Sequence, residues 1–577
     1  MKKLISSRYG WLAVILVLVL VNMLASRWHS RVDLTREGRY TLSPATKALL
    51  GKLDGDVEVD FFLQGDLKAG IKKLSTSAQE TLQEFNEYCD GRIRVRVMDP
   101  LAGLDDTAKM QVLDSLRRIG IQPKTQVAQA KKGDEQRQRV VVPGAIVRYN
   151  GKIYPVDLLK GVQVSGENQP EEQLYSNAET LLEYKFGNAI DKITRKKKPA
   201  IGYVIGNGEP FDFRVYDLIE GFRNNYRFGV IRLDSMPLIP VDYDAIFIVK
   251  PATAFTDREK LALDQYLMYG GQVIWAIDNL HADMDSLRLD KETIAYDRGL
   301  GLEDLFFRYG VRVNHDLVED VQCAPLNIVV GRVGDKPDMQ MISWPYFPLL
   351  NGNPAHAISK NLDPVFSRFA NSLDTNVKSP GVQKTILLEG SEHGRTVSTP
   401  ALITMESAKQ ASDPRLFTQS KIPVGVLLEG MFKSLFANRI AVATADSLAK
   451  LYNQPYLGAS RQPGRVVVLG DGDIVMNDVM QRGGQPMPLP MGFNKDNEYT
   501  FANKDFIDNC IEYMVNPSRI LETRSKDYTL RLLDTVKVDE ERGFWQFINI
   551  GLPILLVIAG GYLFQLLRKR RYVRRVN

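Results

Sequence analysis

Two carboxylates in the stretch Gly470-Asp471-Gly472-Asp473 stand directly after the apolar run VVVL, where a parallel strand would end. Carboxylates at the carboxyl ends of such strands lie where α/β sheets bind ligands, and their oxygens suit a hard cation. One pair is too few ligands for a metal, and Asp-Gly-Asp is also good turn chemistry, which accounts for it more simply. Asp278 follows the run VIWAI in a comparable position. A third loop, Asn207-Gly208-Glu209, follows the strand AIGYVIG. It lacks the full G-x-G-x-x-G spacing, and Pro210 comes too early for a helix start with free N–H groups, so a tight turn is the simpler reading there too. Asn207, Glu209, Asp278, Asp471 and Asp473 are thus candidate ligand or partner loops.

Other chemistries find no residues to carry them. The chain has no G-x-x-x-x-G-K-[ST] phosphate loop, no Cys-x-x-Cys pair and no G-x-S-x-G elbow. Its five histidines show no metal spacing. Cys89, Cys323 and Cys510 are far apart, so an odd thiol stays unpaired within the chain, and Cys89 and Cys510 sit in helical patterns that suit buried structural cysteine. A glutamine-amidotransferase-like hydrolase would need an activated Cys beside a strand-to-helix turn, and none is so placed. We therefore expect no catalytic residue, no cofactor, no metal and no enzyme activity. A membrane-tethered hydrolase is the least supported alternative, because it requires a nucleophile paired with a base.

The elements that must position these loops are read from hydrophobic periodicity. Residues 33–44 form a polar connector, and Ser43-Pro44 suits an N-cap with Pro in the first turn. Strands are expected at 57–63 and 92–100, helices at 71–89, about 106–118 and about 176–193, and a hairpin over 140–159 turning at Asn150-Gly151. The order βαβ, helix, ββ, α is that of a thioredoxin-like domain, over 33–195. Arg195 to Pro199 is a basic linker. Strands at 200–206, 228–234, 243–251 and 272–278 then alternate with helices at 217–226 and 257–271, which argues for a doubly wound, Rossmann-like α/β domain over 199–520. Residues 301–313 read as helix and strand, and 331–356, rich in Pro and Gly, as irregular. Strands at 401–406, 423–430 and 465–475 and a helix at 501–515 complete it.

Each end carries an apolar run without charge, 11–25 and 544–567, and the membrane helices are expected over 11–27 and 544–567. The second is long enough for a ~30 Å hydrocarbon core, and Pro553 and Gly560-Gly561 are tolerable in a membrane helix. The first is shorter, and an uncleaved anchor fits it better than a signal peptide. Basic residues flank both on the chain-terminal side, at 1–10 and 568–577, so both termini are expected in the cytoplasm and the large middle outside it. Residues 521–543, with an amphipathic pattern over 525–543, form the membrane-proximal segment. A net charge of +5 is supplied by the basic ends, which leaves no case for nucleic acid.

DLTREGRYTLSPAT (33–46), LDQYLMYGGQVIWAID (263–278), RYGVRVNHDLVEDVQ (308–322), LLEGMFKSLFANR (427–439), VVVLGDGDIVMND (466–478) and FANKDFIDNCIEYM (501–514), with the NIGLPILL span, resemble GldG. GldG is a family of gliding-motility-associated ABC-transporter auxiliary proteins, often called substrate-binding. The resemblance implies an inner-membrane component working with an ABC ATPase subunit and a permease subunit, a role in gliding motility and the linked protein-secretion machinery, and an α/β domain that binds rather than catalyses. It brings no defined ligand residues. The alternative is a periplasmic module for a small, glycan-like ligand, in which the three candidate loops would converge on one crevice.

Overall fold

In a computed structural model of the chain, residues 15, 18, 19 and 41–573 are described, apart from 66, 130–135, 161–170, 283, 285–286, 288–291, 334–335, 405–412, 453, 517 and 526–540. Most of the first apolar run, of the polar connector and of the amphipathic stretch before the second run therefore lies outside the described residues. Residues up to 526 form one compact unit and those from 527 a second.

The body opens with α1 (Pro44–Leu50), whose first turn is capped by the Ser43 hydroxyl accepting from the Thr46 amide at 3.1 Å, with Pro44 where its missing N–H costs nothing. A four-stranded sheet follows, built from β1 (Val57–Phe61), β2 (Ile93–Val97), β5 (Gly144–Tyr149) and β6 (Lys152–Asp157) in the order β2-β1-β5-β6. β1 and β2 are parallel and the rest antiparallel. Asn150 (φ 46°) and Gly151 (φ 76°) make the tight turn between β5 and β6. A hairpin of β3 (Lys124–Gln129) and β4 (Gln136–Val141) stands outside this sheet and was not legible in the sequence.

Helix α2 (Ala69–Tyr88) buries Ile71, Leu74, Ala78, Leu82 and Phe85, the spacing of one helical face, against one side of the sheet. α3 (Asp106–Arg118) adds Leu116 to a smaller core with Phe62, Ile121 and Val142. The single helix expected near 176–193 is two, α4 (Glu171–Thr180) and α5 (Leu182–Thr194).

The second sheet runs in the order β11-β12-β13-β14-β15-β10-β9-β7-β8. Its parallel part is β7 (Ala200–Ile205), β8 (Arg227–Arg232), β9 (Ala245–Val249), β10 (Gln272–Ala276) and β15 (Gly464–Leu469). β11 (Cys323–Val333), β12 (Lys336–Gly352), β13 (Val382–Glu389) and β14 (Pro423–Gly430) extend it in antiparallel fashion. Residues 331–356 thus contribute to a long hairpin, not to an irregular segment. Both faces of the parallel part are covered, which is why its strands read as unbroken apolar runs. Phe247, Ile274 and Val467 face α6 (Tyr216–Asn225) and α8 (Asn503–Val515), whereas Ile246, Trp275 and Val468 face α7 (Asp257–Met268). Cys89 and Cys510 are buried, and all three thiols are free.

The second unit is helical over Arg542–Gln546 and Leu552–Val573, joined by a π-turn at Phe547–Gly551. Pro553 has no N–H to give the carbonyl four residues back, and a wider turn just before it absorbs that defect. Arg542–Arg570 is long and apolar enough to cross a membrane, the one such helix among the described residues.

Candidate functional site

The loops that leave β9, β10 and β15 meet at the carboxyl end of the parallel strands. Lys250, directly after β9, has φ of 46°, uncommon for a side chain of its kind. Its Nζ donates to Asp473 Oδ1 at 2.6 Å and pairs with Asp278 Oδ2 at 2.9 Å. The other Asp278 oxygen accepts the Gly472 amide at 2.6 Å. Asp471, fully buried, accepts the amides of Asp473 and Arg368, each at 2.7 Å. The Arg368 guanidinium makes two bonds of 2.7 Å to Asp478 and lies 4.9 Å from the Phe366 ring centre. Below them Asn371, also fully buried, donates its amide to Gly470 O, accepts the Asn279 amide at 2.8 Å and donates Nδ2 to Asp316 O at 2.7 Å.

Charge in this cluster is balanced from within. Burial pushes the Lys250 ammonium down, but Asp278 and Asp473 outweigh it and hold the group above its ordinary range, so it stays charged. Burial, with Asp473 and Asp278 adding to it, drives the Asp471 carboxyl well above its ordinary value. The lysine occupies the place a bound cation would take between the carboxylates. The recess beside Asp473, bounded by Phe366, Arg368 and Asp478, holds only about 10 Å³, at most the space of one water.

Asp278, Asp471 and Asp473 are therefore brought together, while Asn207 and Glu209 lie on the loop after β7, against the segment that follows β9. The Asn207 carbonyl accepts the amides of Ala252 and Thr253, and its side chain reaches Glu259 Oε2 at 3.3 Å. Glu209 Oε2 accepts the Asn207 amide at 2.7 Å, and burial pushes this carboxyl up to about 7. Asn207 Oδ1 and Glu209 Oε1 are buried without a hydrogen-bond partner among the described residues. Both sit where the chain passes from β7 outward to β8 and then back to β9 on the other side, the topological switch point at which such sheets bind ligands.

Lys250, Arg368, Asn371 and Asp478 were missed in the sequence, as was Arg298, whose guanidinium lies 4.0 Å from Asp278 Oδ2. The one signal was Lys250 itself, a charge ending the apolar run AIFIV just before Pro251. A groove of about 550 Å³ lies elsewhere, at the opposite ends of the parallel strands, where Lys198, Gln272, Arg465 and Arg519 line it. Gly472 is required for space: a Cβ there would stand 2.8 Å from Lys250 Cβ and 3.1 Å from Asp278 Oδ1. Gly472→Ala is expected to cost about 1–3 kcal/mol, read as a lower denaturant midpoint.

These features define an α/β body whose strand-end carboxylates are neutralised by its own cations, followed by an apolar helix. Residues 198–510, over half of the chain, match the family described as an ABC-type uncharacterized transport system, and the chain belongs to that family. It is thus an auxiliary protein associated with an ABC transporter. Residues 36–148 match a domain family of unknown function. No curated protein matches the chain. Among solved structures, the mmIFT52 N-terminal domain is similar at 14% identity and a TM-score of 0.29, over 55% of this chain and 97% of that one. The exo-beta-1,4-mannosidase Op5Man5 from Opitutaceae bacterium strain TAV5 is similar at 12% identity and a TM-score of 0.19, over 69% of this chain and 45% of that one. At such scores neither likeness bears on function.

Proposed function

We propose that this chain is a non-enzymatic inner-membrane accessory subunit of an ABC transporter, with a periplasmic binding or scaffolding body and both termini in the cytoplasm. The match to the transport-system family carries this reading. In it the first sheet, ordered β2-β1-β5-β6, is a thioredoxin-like scaffold without its redox pair, and the parallel part of the second is Rossmann-like. Two ends that dock on a permease and an ATPase subunit would supply the energy the body lacks. The GldG resemblance extends the reading to gliding motility and the linked secretion machinery. Affinity purification of the full chain from its native membranes in mild detergent is expected to recover both subunits, and recovery of neither overturns the proposal.

The unpartnered Asn207 Oδ1 and Glu209 Oε1 at the switch point favour a second reading, a site for a small hydroxyl-bearing, glycan-like ligand. It predicts a thermal shift with such a ligand that Glu209→Gln weakens; no shift across a panel of polar ligands removes it.

A further inference from the structure

The last described segment of the body returns to its first. Ile520–Ser525, a 3-10 turn, lies against α1 and α5, although it follows the whole second sheet in the chain. Ile520 is fully buried and belongs to the first core, with Leu50, Phe186 and Ile190. Its neighbour Leu521 belongs to the second core, with Leu362 and Phe506. Gly187 of α5 makes the seat: a Cβ there would stand 2.9 Å from Ile520 Cδ1 and 4.0 Å from Thr46 Oγ1. Arg524, 4% exposed, places its guanidinium 5.0 Å from the Tyr184 ring centre and donates to Lys360 O at 3.2 Å. On the same helix Glu183 accepts from the Thr46 hydroxyl at 2.6 Å and the Ser43 amide at 2.7 Å, which fixes α1.

We propose that Ile520–Ser525 is a strap that clamps both ends of the body onto α5, so that displacement of either end segment is delivered to that one helix. The C-terminal end of α5 is in turn tied to α8. Lys192 and, just beyond the helix, Arg195 pair with the buried Glu512 of α8 at 3.4 and 3.1 Å. α8 spans about 20 Å at the usual rise per residue. Its Asn503 holds Phe366 by two bonds, of 2.9 and 2.8 Å, and Ile474 O at 3.0 Å, beside the Lys250 cluster. A contiguous path of packed and hydrogen-bonded groups thus joins the clamp to the strand ends. The clamp is internal to the body; only the source of the pull rests on the membrane reading above.

Hydrogen exchange on the full-length protein in detergent tests this, comparing wild type with Ile520→Ala. Residues 44–50 and 182–187 are expected to exchange faster together with 520–525, by about 30-fold or more, while β15 keeps its protection. Acceleration of 520–525 alone overturns the shared clamp, and equal acceleration of β15 shows one cooperative unit instead of a strap. Should Ile520→Ala not fold, Gly187→Ala, which crowds Ile520 without removing it, must give the same pattern, and unchanged exchange there also overturns the proposal. Reporter fusions that misplace the termini would sink the membrane reading and leave this pattern intact.

Discussion

Glu512→Gln is expected to destabilise the body by about 3–5 kcal/mol, because removing one member of a buried ion pair leaves its partner's charge uncompensated. Glu512 is almost wholly buried, and it faces Lys192 and Arg195, both largely buried themselves. Tyr226 donates its hydroxyl to one Glu512 oxygen, and Asn516 donates to the other at 3.0 Å. Arg195 keeps a second partner in Asp191, so Lys192 bears most of the loss. Burial alone would raise the Glu512 carboxyl, but Lys192, Arg195 and the Tyr226 hydroxyl outweigh it and bring it from 4.5 down to about 2. A carboxyl lowered by folding stabilises the protein above its unfolded value and loses that contribution as pH falls through its folded value. Wild type should therefore lose stability between about pH 4.5 and 2, and Glu512→Gln should lie well below it at neutral pH and converge with it at the acid end. Guanidinium unfolding followed through the buried Trp275 and Trp344 measures both. Parallel curves across that window would exclude Glu512 as the source.

What was legible in the sequence is what local periodicity dictates. VEVDF, AIGYVI and AIFIV are strands because apolar side chains fill one or both sheet faces, and TLQEF and FIDNCIEYM are helices because their apolar residues recur at three and four. The hairpin of β11 and β12 was hidden by its prolines. Pairing jumps from Cys323–Pro348 to Pro325–Ser343, so the bulged stretch 344–347 carries Pro345 where no ladder bond is asked of it. Three of the five candidate residues were brought together, because strand ends in a parallel sheet are neighbours wherever they fall in the chain. Their partners were not legible: Lys250 and Asp473 are 223 residues apart, and no local pattern records such a pairing. The clamp was hidden for the same reason, since Ile520 completes a core whose other members lie before residue 194.

Lys250→Met is expected to cost about 3–5 kcal/mol at neutral pH, since it keeps the volume of the stem and removes the one ammonium among Asp278, Asp471 and Asp473. Asp278 and Asp473, left beside Asp471 without the cation they share, repel one another. Protonating a carboxylate relieves the repulsion, so the deficit should shrink at acid pH. The lysine's own contribution behaves oppositely: a cation held above 10.5 by folding stabilises at all pH below that value and is lost only as pH rises through the folded one. The two signs separate loss of charge from loss of packing, which would be independent of pH. Calcium gives a further distinction, because a hard cation can replace an ammonium among carboxylate oxygens. It should raise the melting midpoint of Lys250→Met and leave that of wild type unchanged, where the lysine already fills the place. A wild-type protein stabilised by calcium, or a Lys250→Met protein as stable as wild type, would mean that the strand-end carboxylates are an open site and not a lock of the fold.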